Sequence, residues 1–333
     1  MRHLIGGAVR TQAIYVAAKL GIPDHLSLGP QSAGDLAARV DAHAPTLRRV
    51  LRFLVASGVF VEHEDGRFAM NRAAEFLQTA HPRSMRPSAI RAAEGMWNVA
   101  SRLLSAVQNG TTPYEEVHGA SFFERADAVA FGARMSVTTG GIAESLAKLE
   151  TIARAKRVVD VGGGNGAMLM RLLDARPDLE GVLFDRPETI AAARERIDDR
   201  CELVAGDFFE SVPPGDAYLL SWILHDWEDG EALRILRACH GGDVVIVEVL
   251  MPERAEETAP APGRLADPFT LDLQMLLLTG GRERTLSEYR ALLREAGFEI
   301  ANVTPLDSYR GASAIEARSL PITRETAHGD RYE

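Results

Sequence analysis

From residue 157 onward, short runs rich in β-branched residues alternate with segments long enough to form helices. The strand-sized run Arg157–Val161 precedes a helix-length segment at Met168–Ala175, and the alternation continues as far as Val244–Val249. Such alternation is typical of a parallel sheet with helices on its faces. Glu299–Val303 and Ala312–Ala317 then predict a terminal hairpin at one edge of the sheet. An α/β fold is therefore expected for the second half of the chain.

The first eighty residues predict a different arrangement, namely two helices followed by a hairpin. A short helix is expected over Leu36–Val40, and a second, amphipathic helix runs from Pro45 to Gly58. Two short strands then flank Asp65 and Gly66, a pair that suits a hairpin turn. This order is the winged-helix pattern. Because residues 31–80 hold six arginines and six acidic residues, we expect the unit to serve dimerisation rather than to bind DNA phosphates.

The composition of the whole chain disfavours several functional classes. The formal net charge is −10, which argues against a general binder of polyanions such as nucleic acids. No apolar run approaches the ~18 residues of a membrane span, and no secretory leader is recognisable. The two cysteines, Cys201 and Cys239, provide neither a disulfide framework nor a metal-binding cluster. We therefore expect a cytoplasmic protein without a metal, a membrane or a nucleic-acid partner.

The most specific local signal is the stretch VVDVGGGNG at 158–166, between a predicted strand and a predicted helix. Glycines at 162, 164 and 166 allow the backbone to turn sharply and to approach a ligand closely. The dinucleotide fingerprint would require glycine at position 167, where this chain has Ala167. Since alanine is sometimes accepted there, the glycine spacing alone does not decide the ligand.

The ends of the next two strands favour an adenosine as that ligand. Asp185 ends the second strand, where a carboxylate can accept hydrogen bonds from both ribose hydroxyls. Asp207 and Phe208 end the third strand, and an acid followed by an aromatic ring suits an adenine. Residues 162–169 contain no lysine or arginine that would neutralise a phosphate. An adenosine without an evident phosphate site points to S-adenosylmethionine (SAM).

Six stretches of the chain resemble the small-molecule O-methyltransferases of the caffeic acid and acetylserotonin type, in particular their bacterial natural-product branch. In chain order they are VVDVGGGNG, VLFDRPE, GDFFESVP, YLLSWILHDWED, VVIVEVLMP and GGRERTLSEYRALLREAGF. The resemblance covers essentially the whole chain. It implies a winged-helix dimerisation domain over 1–95, a helical linker over 96–150 that contributes to the substrate pocket, and a Rossmann-like class I methyltransferase domain over 151–333.

The resemblance also implies roles for individual residues. His225 matches the family's catalytic base, and Glu248 and Glu283 match the two acids that flank and orient it. The residues that would contact SAM, or its product S-adenosylhomocysteine (SAH), are Asp160, Gly162, Asp185, Asp207, Phe208, Ser221 and Trp227. The residues that match the wall of the acceptor pocket are Phe131, Met135 and Met275. No metal is required.

The chain departs from the plant members of this family in two places. Many relatives carry a lysine four residues before the histidine, where this chain has Ser221, so a cation that would contact the cofactor is missing. The segment Asp272–Glu283 is one residue shorter than in the plant pattern. In this segment, the residues that match the acceptor pocket are therefore spaced differently from those of the plant enzymes.

The expected reaction follows from the acidity of the groups involved. A phenol has a pKa near ~10 and a histidine near ~6.5, so His225 can act as a general base around neutrality. We expect a homodimeric SAM-dependent O-methyltransferase that acts on a phenolic hydroxyl of a small aromatic, polyketide-derived or peptide-derived secondary metabolite. The principal alternative is a SAM-binding enzyme of the same fold that catalyses hydroxylation, decarboxylation or a pericyclic reaction. A transcriptional regulator is disfavoured because the winged unit has no net charge. A nicotinamide dehydrogenase is disfavoured by the stretch GDFF and by the presence of the N-terminal unit.

Overall fold

The computed structural model describes residues 1–125, 142–197, 199–255, 267–306 and 311–321. The chain divides into two compact units, Met1–Leu104 and Ser105–Glu333. Within the described ranges, no helix combines the length and the apolar character that crossing a membrane requires.

The first unit is mostly helical and contains the predicted hairpin. Its strands β1 (Phe60–Glu62) and β2 (Phe68–Met70) pair antiparallel, and Gly66 in the turn between them has a φ of 79°. The amphipathic helix Ala44–Ala56 buries its leucine face in the core of the unit. The other helices are Arg2–Ile5, Gly7–Lys19, Ile22–Leu26, Ala33–Arg39, Arg72–Glu75, Arg86–Glu94 and Met96–Ala100. The helix–helix–hairpin order is therefore as predicted.

Eight strands of the described part of the second unit form one sheet. They are β3 (Arg157–Val161), β4 (Glu180–Asp185), β5 (Cys201–Ala205), β6 (Ala217–Ser221), β7 (Asp243–Met251), β8 (Arg284–Thr285), β9 (Phe298–Pro305) and β10 (Ala312–Ser319). Their order across the sheet is β5-β4-β3-β6-β7-β10-β9, with β8 paired to β7. The neighbours among β3 to β8 are parallel, whereas β10 runs antiparallel to β7 and β9. The predicted α/β fold and the hairpin at the sheet edge are confirmed.

Both faces of this sheet are buried. Val158 and Leu183 belong to one apolar core, whereas Val159 and Val182, their neighbours in β3 and β4, belong to another. Alternate residues of a strand point to opposite faces, so helices must cover both sides. The helices of this unit are Pro113–His118, Phe122–Arg125, Ile142–Leu146, Glu150–Arg154, Ala167–Ala175, Pro187–Ala193, Asp229–Ala238, Pro268–Leu278 and Leu286–Glu295, and Leu103–Asn109 spans the boundary between the units. Ligands of such sheets bind at the carboxyl ends of the parallel strands.

Candidate active site

A cavity of about 1060 Å³ opens where the parallel strands end. Its walls come from the loops that follow β3, β4, β5 and β6, together with Thr112, Glu115 and residues 121–124 and 279–280. All seven residues predicted to contact the cofactor line this cavity, namely Asp160, Gly162, Asp185, Asp207, Phe208, Ser221 and Trp227. Their own contacts with a cofactor stay a prediction.

The glycine turn after β3 forms a close-packed floor for the cavity. Gly162 has a φ of 70°, and a Cβ atom there would lie 2.6 Å from Cδ1 of Ile223. The backbone N–H of Gly164 donates to Oδ2 of Asp185 at 2.8 Å, and the N–H of Arg186 donates to Oδ1 at 2.7 Å. Asp185 therefore ties the end of β4 to the turn after β3. A side chain at position 162 would be strained by the positive φ and would require the side chain of Ile223 to move.

Trp227 stands within a group of aromatic rings on the cavity wall. Its ring stacks on Phe123, with centroids 5.4 Å apart and planes 17° apart. The rings of Phe208 and Phe209 meet Trp227 edge to face, at 5.9 Å and 4.8 Å. Such a group provides the flat apolar surface that an adenine requires. Phe208 and Trp227 were predicted from the sequence, whereas Phe123 and Phe209 were not, although Phe209 directly follows Phe208.

The charged side chains of the cavity wall are mostly negative. Nine are carboxylates, namely Glu115, Glu124, Asp160, Asp185, Glu188, Asp207, Asp226, Glu228 and Glu231. Arg186 is the single lysine or arginine among the described lining residues, and it contacts the carbonyl oxygen of Phe123 at 3.2 Å and Glu188 at 3.1 Å. A pyrophosphate would therefore meet mainly like charges, whereas the sulfonium and ammonium groups of SAM would meet opposite ones.

Two buried polar atoms of the wall have no hydrogen-bond partner among the described residues. They are Oδ2 of Asp160 and Oγ of Ser221. Burial, together with the negative charge of Asp185, raises the pKa of Asp160 to about 7. Because buried polar atoms are nearly always paired, these two indicate a ligand that brings hydrogen-bond donors and positive charge. The residues present therefore fit SAM.

His225 lies on a single 3-10 turn, Leu224–Asp226, that follows β6. Ile223 and Asp226 on either side of it line the cavity, whereas His225 itself is not among the described lining residues. Its Nδ1 is 2.8 Å from Oε1 of Glu283 and 3.4 Å from Oε2 of Glu248. The exposed fractions of His225, Glu248 and Glu283 are 6%, 0% and 2%. The structure thus brings the three predicted catalytic residues together, and Glu283 is buried rather than part of a surface cluster with its neighbouring arginines.

The two glutamates contact different parts of His225. Oε1 of Glu248 accepts the backbone N–H groups of Ile223, Leu224 and His225, at 3.1, 3.0 and 3.3 Å. An anion at this position is favourable because the amide end of a helical turn carries partial positive charge. Glu248 therefore holds the backbone of the turn, whereas Glu283 orients the imidazole ring.

The surrounding carboxylates decide the charge of the imidazole. Burial alone lowers the pKa of His225, but Glu248, Asp226 and Glu283 outweigh it and raise the pKa to about 10. Since Nδ1 faces the two glutamates, Nε2 is the nitrogen that remains for an acceptor. Oδ1 of Asp226 lies 3.9 Å from Nε2, and Asp226 lines the cavity. Asp226 was not predicted from the sequence, although this residue directly follows His225.

His225, Glu248 and Glu283 are also the one group in the described part of the chain whose donor atoms could hold a metal ion. The 2.8 Å between Nδ1 of His225 and Oε1 of Glu283 is a hydrogen-bond distance, which requires a proton between the two atoms. The observed contacts are therefore explained without a metal. The expected absence of a metal stays a prediction.

None of the three residues predicted for the acceptor pocket is among the described residues that line the cavity. Phe131 and Met135 lie outside the described residues. Met275 is buried in the helix Pro268–Leu278 and is not among the described residues that line the cavity. Thr279 and Gly280, just after that helix, do line it and were not identified from the sequence.

Known protein families match both units. The family model described as the O-methyltransferase domain matches residues 100–299, and the one described as the O-methyltransferase dimerisation domain matches residues 2–80. A phenazine O-methyltransferase of Lysobacter antibioticus is 39% identical, over 96% of this chain and 95% of its own.

Solved structures extend the likeness to the fold. The mitomycin 7-O-methyltransferase MmcR has a TM-score of 0.82 and 33% sequence identity, with 96% of each chain covered. An O-methyltransferase of neocarzinostatin biosynthesis, solved with SAM and 2-hydroxy-5-methyl naphthoic acid, has a TM-score of 0.78 and 32% identity. That comparison covers 93% of this chain and 96% of the other.

Proposed function

This chain belongs to the SAM-dependent O-methyltransferase family, and from that premise we propose that it methylates a phenolic hydroxyl of a small aromatic secondary metabolite with His225 as general base. The chain carries the family's dimerisation domain and acts as a homodimer. The observation that carries the proposal is the 2.8 Å contact between Nδ1 of His225 and Oε1 of Glu283, which leaves Nε2 for an acceptor. The phenazine enzyme and the naphthoic acid complex support a planar aromatic acceptor.

The cofactor site proposed for this chain uses the strand ends. Asp185 would accept hydrogen bonds from the ribose, while Asp207 and Phe208 would bind the adenine beside Trp227. Asp160 and Ser221, whose buried oxygens lack partners in the described chain, would receive the donors of the methionine end. When bound, SAM supplies a methyl group on a positively charged sulfur, and this methyl group is already activated toward a nucleophile.

The task left to the protein is to orient the acceptor and to remove its proton. A neutral phenol is a weak nucleophile, so the hydroxyl proton must leave as the new O–C bond forms. In the proposed mechanism, the neutral form of His225 accepts that proton at Nε2. Because the pKa of His225 is raised to about 10, this form is a minor one around neutral pH and the rate should rise with pH. Glu283 and Glu248 stabilise the resulting imidazolium, because both carboxylates lie within 3.4 Å of Nδ1. Holding the reactants in line contributes the remainder of the rate enhancement.

The test compares His225→Ala with the wild-type enzyme on a panel of hydroxyphenazines and hydroxynaphthoates. Loss of a general base lowers rates by about 10²–10⁴-fold, so the variant should lose at least about 100-fold in kcat while its affinity for SAH is retained. His240→Ala is the matched control, because it removes the same imidazole group from a position where the ring stacks on Phe298 at 5.4 Å. Wild-type turnover by His225→Ala would contradict the base assignment. Substrate conversion without SAH formation would instead indicate the alternative reactions of this fold.

A further inference from the structure

Arg284 is a fully buried arginine whose hydrogen bonds converge on the turn that carries His225. Its exposed fraction is 1%. Nη1 donates to the carbonyl oxygen of Leu224 and Nη2 to that of Trp227, both at 2.7 Å. Nε donates to Oδ1 of Asp229 at 2.9 Å. The guanidinium therefore holds the chain immediately before and shortly after His225.

The same turn is held from its other end by the opposite charge. Oε1 of Glu248 accepts three N–H groups at the amide end of the turn, as described above. A helical turn carries partial positive charge at its amide end and partial negative charge at its carbonyl end. An anion at the amide end and a cation at the carbonyl end are therefore favourable. Hydrogen bonds to charged groups are also stronger than those between neutral groups. Glu248 and Arg284 thus hold the turn between them.

Arg284 is also linked to the imidazole of His225 through its position in the chain. Arg284 directly follows Glu283, and Arg284 pairs with Leu250 at the end of β7. Two consecutive residues, Glu283 and Arg284, therefore supply the carboxylate that contacts the ring of His225 and the guanidinium that contacts its flanking backbone. Arg284 is 1% exposed and its Nε, Nη1 and Nη2 all donate to groups of the protein, so we expect it to act without contacting a substrate or cofactor.

From these contacts we infer that Arg284 is a positioning residue for the reaction, which acts by fixing the backbone that carries His225. The inference rests on the proposed role of His225 as base. A Lys side chain keeps the charge but offers one donor centre, so it cannot reach both carbonyl groups and Asp229 at once. Displacing a reacting group by about 1 Å can cost about 100-fold in rate.

The experiment compares Arg284→Lys with Arg176→Lys. Arg176 is the matched control, because its Nη1 donates to the carbonyl oxygen of Ile152 at 2.9 Å and its guanidinium pairs with Asp178, far along the chain from the turn. We expect Arg284→Lys to lower kcat by about 10- to 100-fold, with the acceptor KM and the Kd of SAH changed less than about five-fold. Arg176→Lys should keep kcat within about two-fold, whatever its Tm. If both variants lose kcat equally, in proportion to their losses of Tm, then Arg284 is a purely structural residue and the inference is overturned.

A double variant shows whether the effect passes through His225. In the His225→Ala background, Arg284→Lys should change kcat by less than about three-fold, because the group that Arg284 positions is gone. The same fold loss in both backgrounds would overturn the inference. If Arg284→Lys does not fold, Asp229→Asn replaces it. Asp229 is half-exposed and contacts Nε of Arg284 at 2.9 Å and Nη1 of Arg282 at 3.8 Å. We expect Asp229→Asn to lower kcat by about three-fold, and this loss should disappear in the His225→Ala background.

A readout without turnover separates failure of the inference from failure of the proposed function. In ¹⁵N-histidine-labelled protein, the titration midpoint of His225 should be lower by at least about one unit in Arg284→Lys than in the wild type, because the ring is no longer held against the glutamates. An unchanged midpoint overturns the inference. If His225→Ala keeps full turnover while the midpoint still shifts, the base assignment fails and the structural action of Arg284 stands.

Discussion

Glu283 and Glu248 lie against the same imidazole, but only Glu283 is within hydrogen-bond distance of it. Glu283→Gln removes a negative charge that favours the imidazolium, so the pKa of His225 should fall below the value of about 10 that the intact cluster supports. The rise of kcat/KM with pH reports the deprotonation of the base in the free enzyme and should therefore move to lower pH by about one unit. The plateau of kcat should fall by about 10-fold, because the base is weaker. Initial rates between about pH 7 and pH 11, a range that includes the wild-type midpoint of about 10, measure both changes.

Glu248→Gln serves as the comparison for that experiment. Its amide oxygen can still accept the backbone N–H groups of the turn, and the charge that it removes is 3.4 Å from Nδ1 rather than 2.8 Å. We expect the pH profile to move to lower pH in this variant as well, because the charge of Glu248 is the largest of those that raise the pKa of His225. Coincident profiles for Glu283→Gln and the wild type would show that the ring of His225 is not coupled to Glu283.

The residues of the site differ in how far the sequence could identify them. His225 and Glu283 could be identified because each lies in a family motif, and Asp185 and Asp207 because each ends a recognisable strand. Arg284 could not, because its partners are backbone carbonyl groups some sixty positions earlier in the chain, and a backbone partner leaves no signal in the residue types.

At the scale of elements, the loop before β8 packs backbone against backbone on the turn that carries His225. A Cβ atom at Gly281 would collide with the carbonyl oxygen of His225 and with the backbone of Asp226. Backbone atoms cannot rotate away as side chains do, so Gly281→Ala should push the turn out of place. We expect kcat to fall by at least about 10-fold with SAH binding retained, as measured by initial rates and calorimetry.

Gly230→Ala is the matched control for that variant. Gly230 lies near the start of the helix Asp229–Ala238, and a Cβ atom there would meet nothing within 4 Å. Alanine in a helix is favoured over glycine by about 1 kcal/mol, so this variant should be as active as the wild type and slightly more stable. Unchanged activity of Gly281→Ala would show that the turn tolerates displacement, contrary to the packing described.

The elements themselves were predictable where periodicity extends over several residues. The strand predicted at Val244–Val249 is observed as Asp243–Met251, and the helix predicted at Met168–Ala175 begins at Ala167. The two-residue strand Arg284–Thr285 is too short to carry a period, and it was not predicted. The sequence pattern also could not predict that β10 lies between β7 and β9. Residue types indicate which face of a strand is buried, but not which strand lies next to it in the sheet.

At the scale of the whole molecule, the dimerisation domain leaves large apolar side chains uncovered near its start. Leu4, Ile5 and Val9 are exposed by 73%, 73% and 62% in the single chain. Apolar groups of this size are expected to be buried against the partner subunit. Val9→Glu should therefore weaken the dimer, and sedimentation velocity at micromolar concentration should show a monomer fraction that the wild type lacks. Leu320→Glu, in the other unit and 38% exposed, should leave the dimer intact.

The negative charge of the molecule, −10 overall, includes the nine carboxylates of the cavity wall, and it should distinguish the two forms of the cofactor. SAM carries one positive charge more than SAH, and a pair of opposite charges about 5 Å apart at an effective dielectric of about 20 is worth about 3 kcal/mol. The Debye length falls from ~10 Å at 0.1 M salt to ~3 Å at 1 M. Calorimetry should therefore show the affinity for SAM falling several-fold over this range while that for SAH changes less than about two-fold. Parallel salt dependences for SAM and SAH would show that the carboxylates of the wall do not contact the sulfonium end of the site.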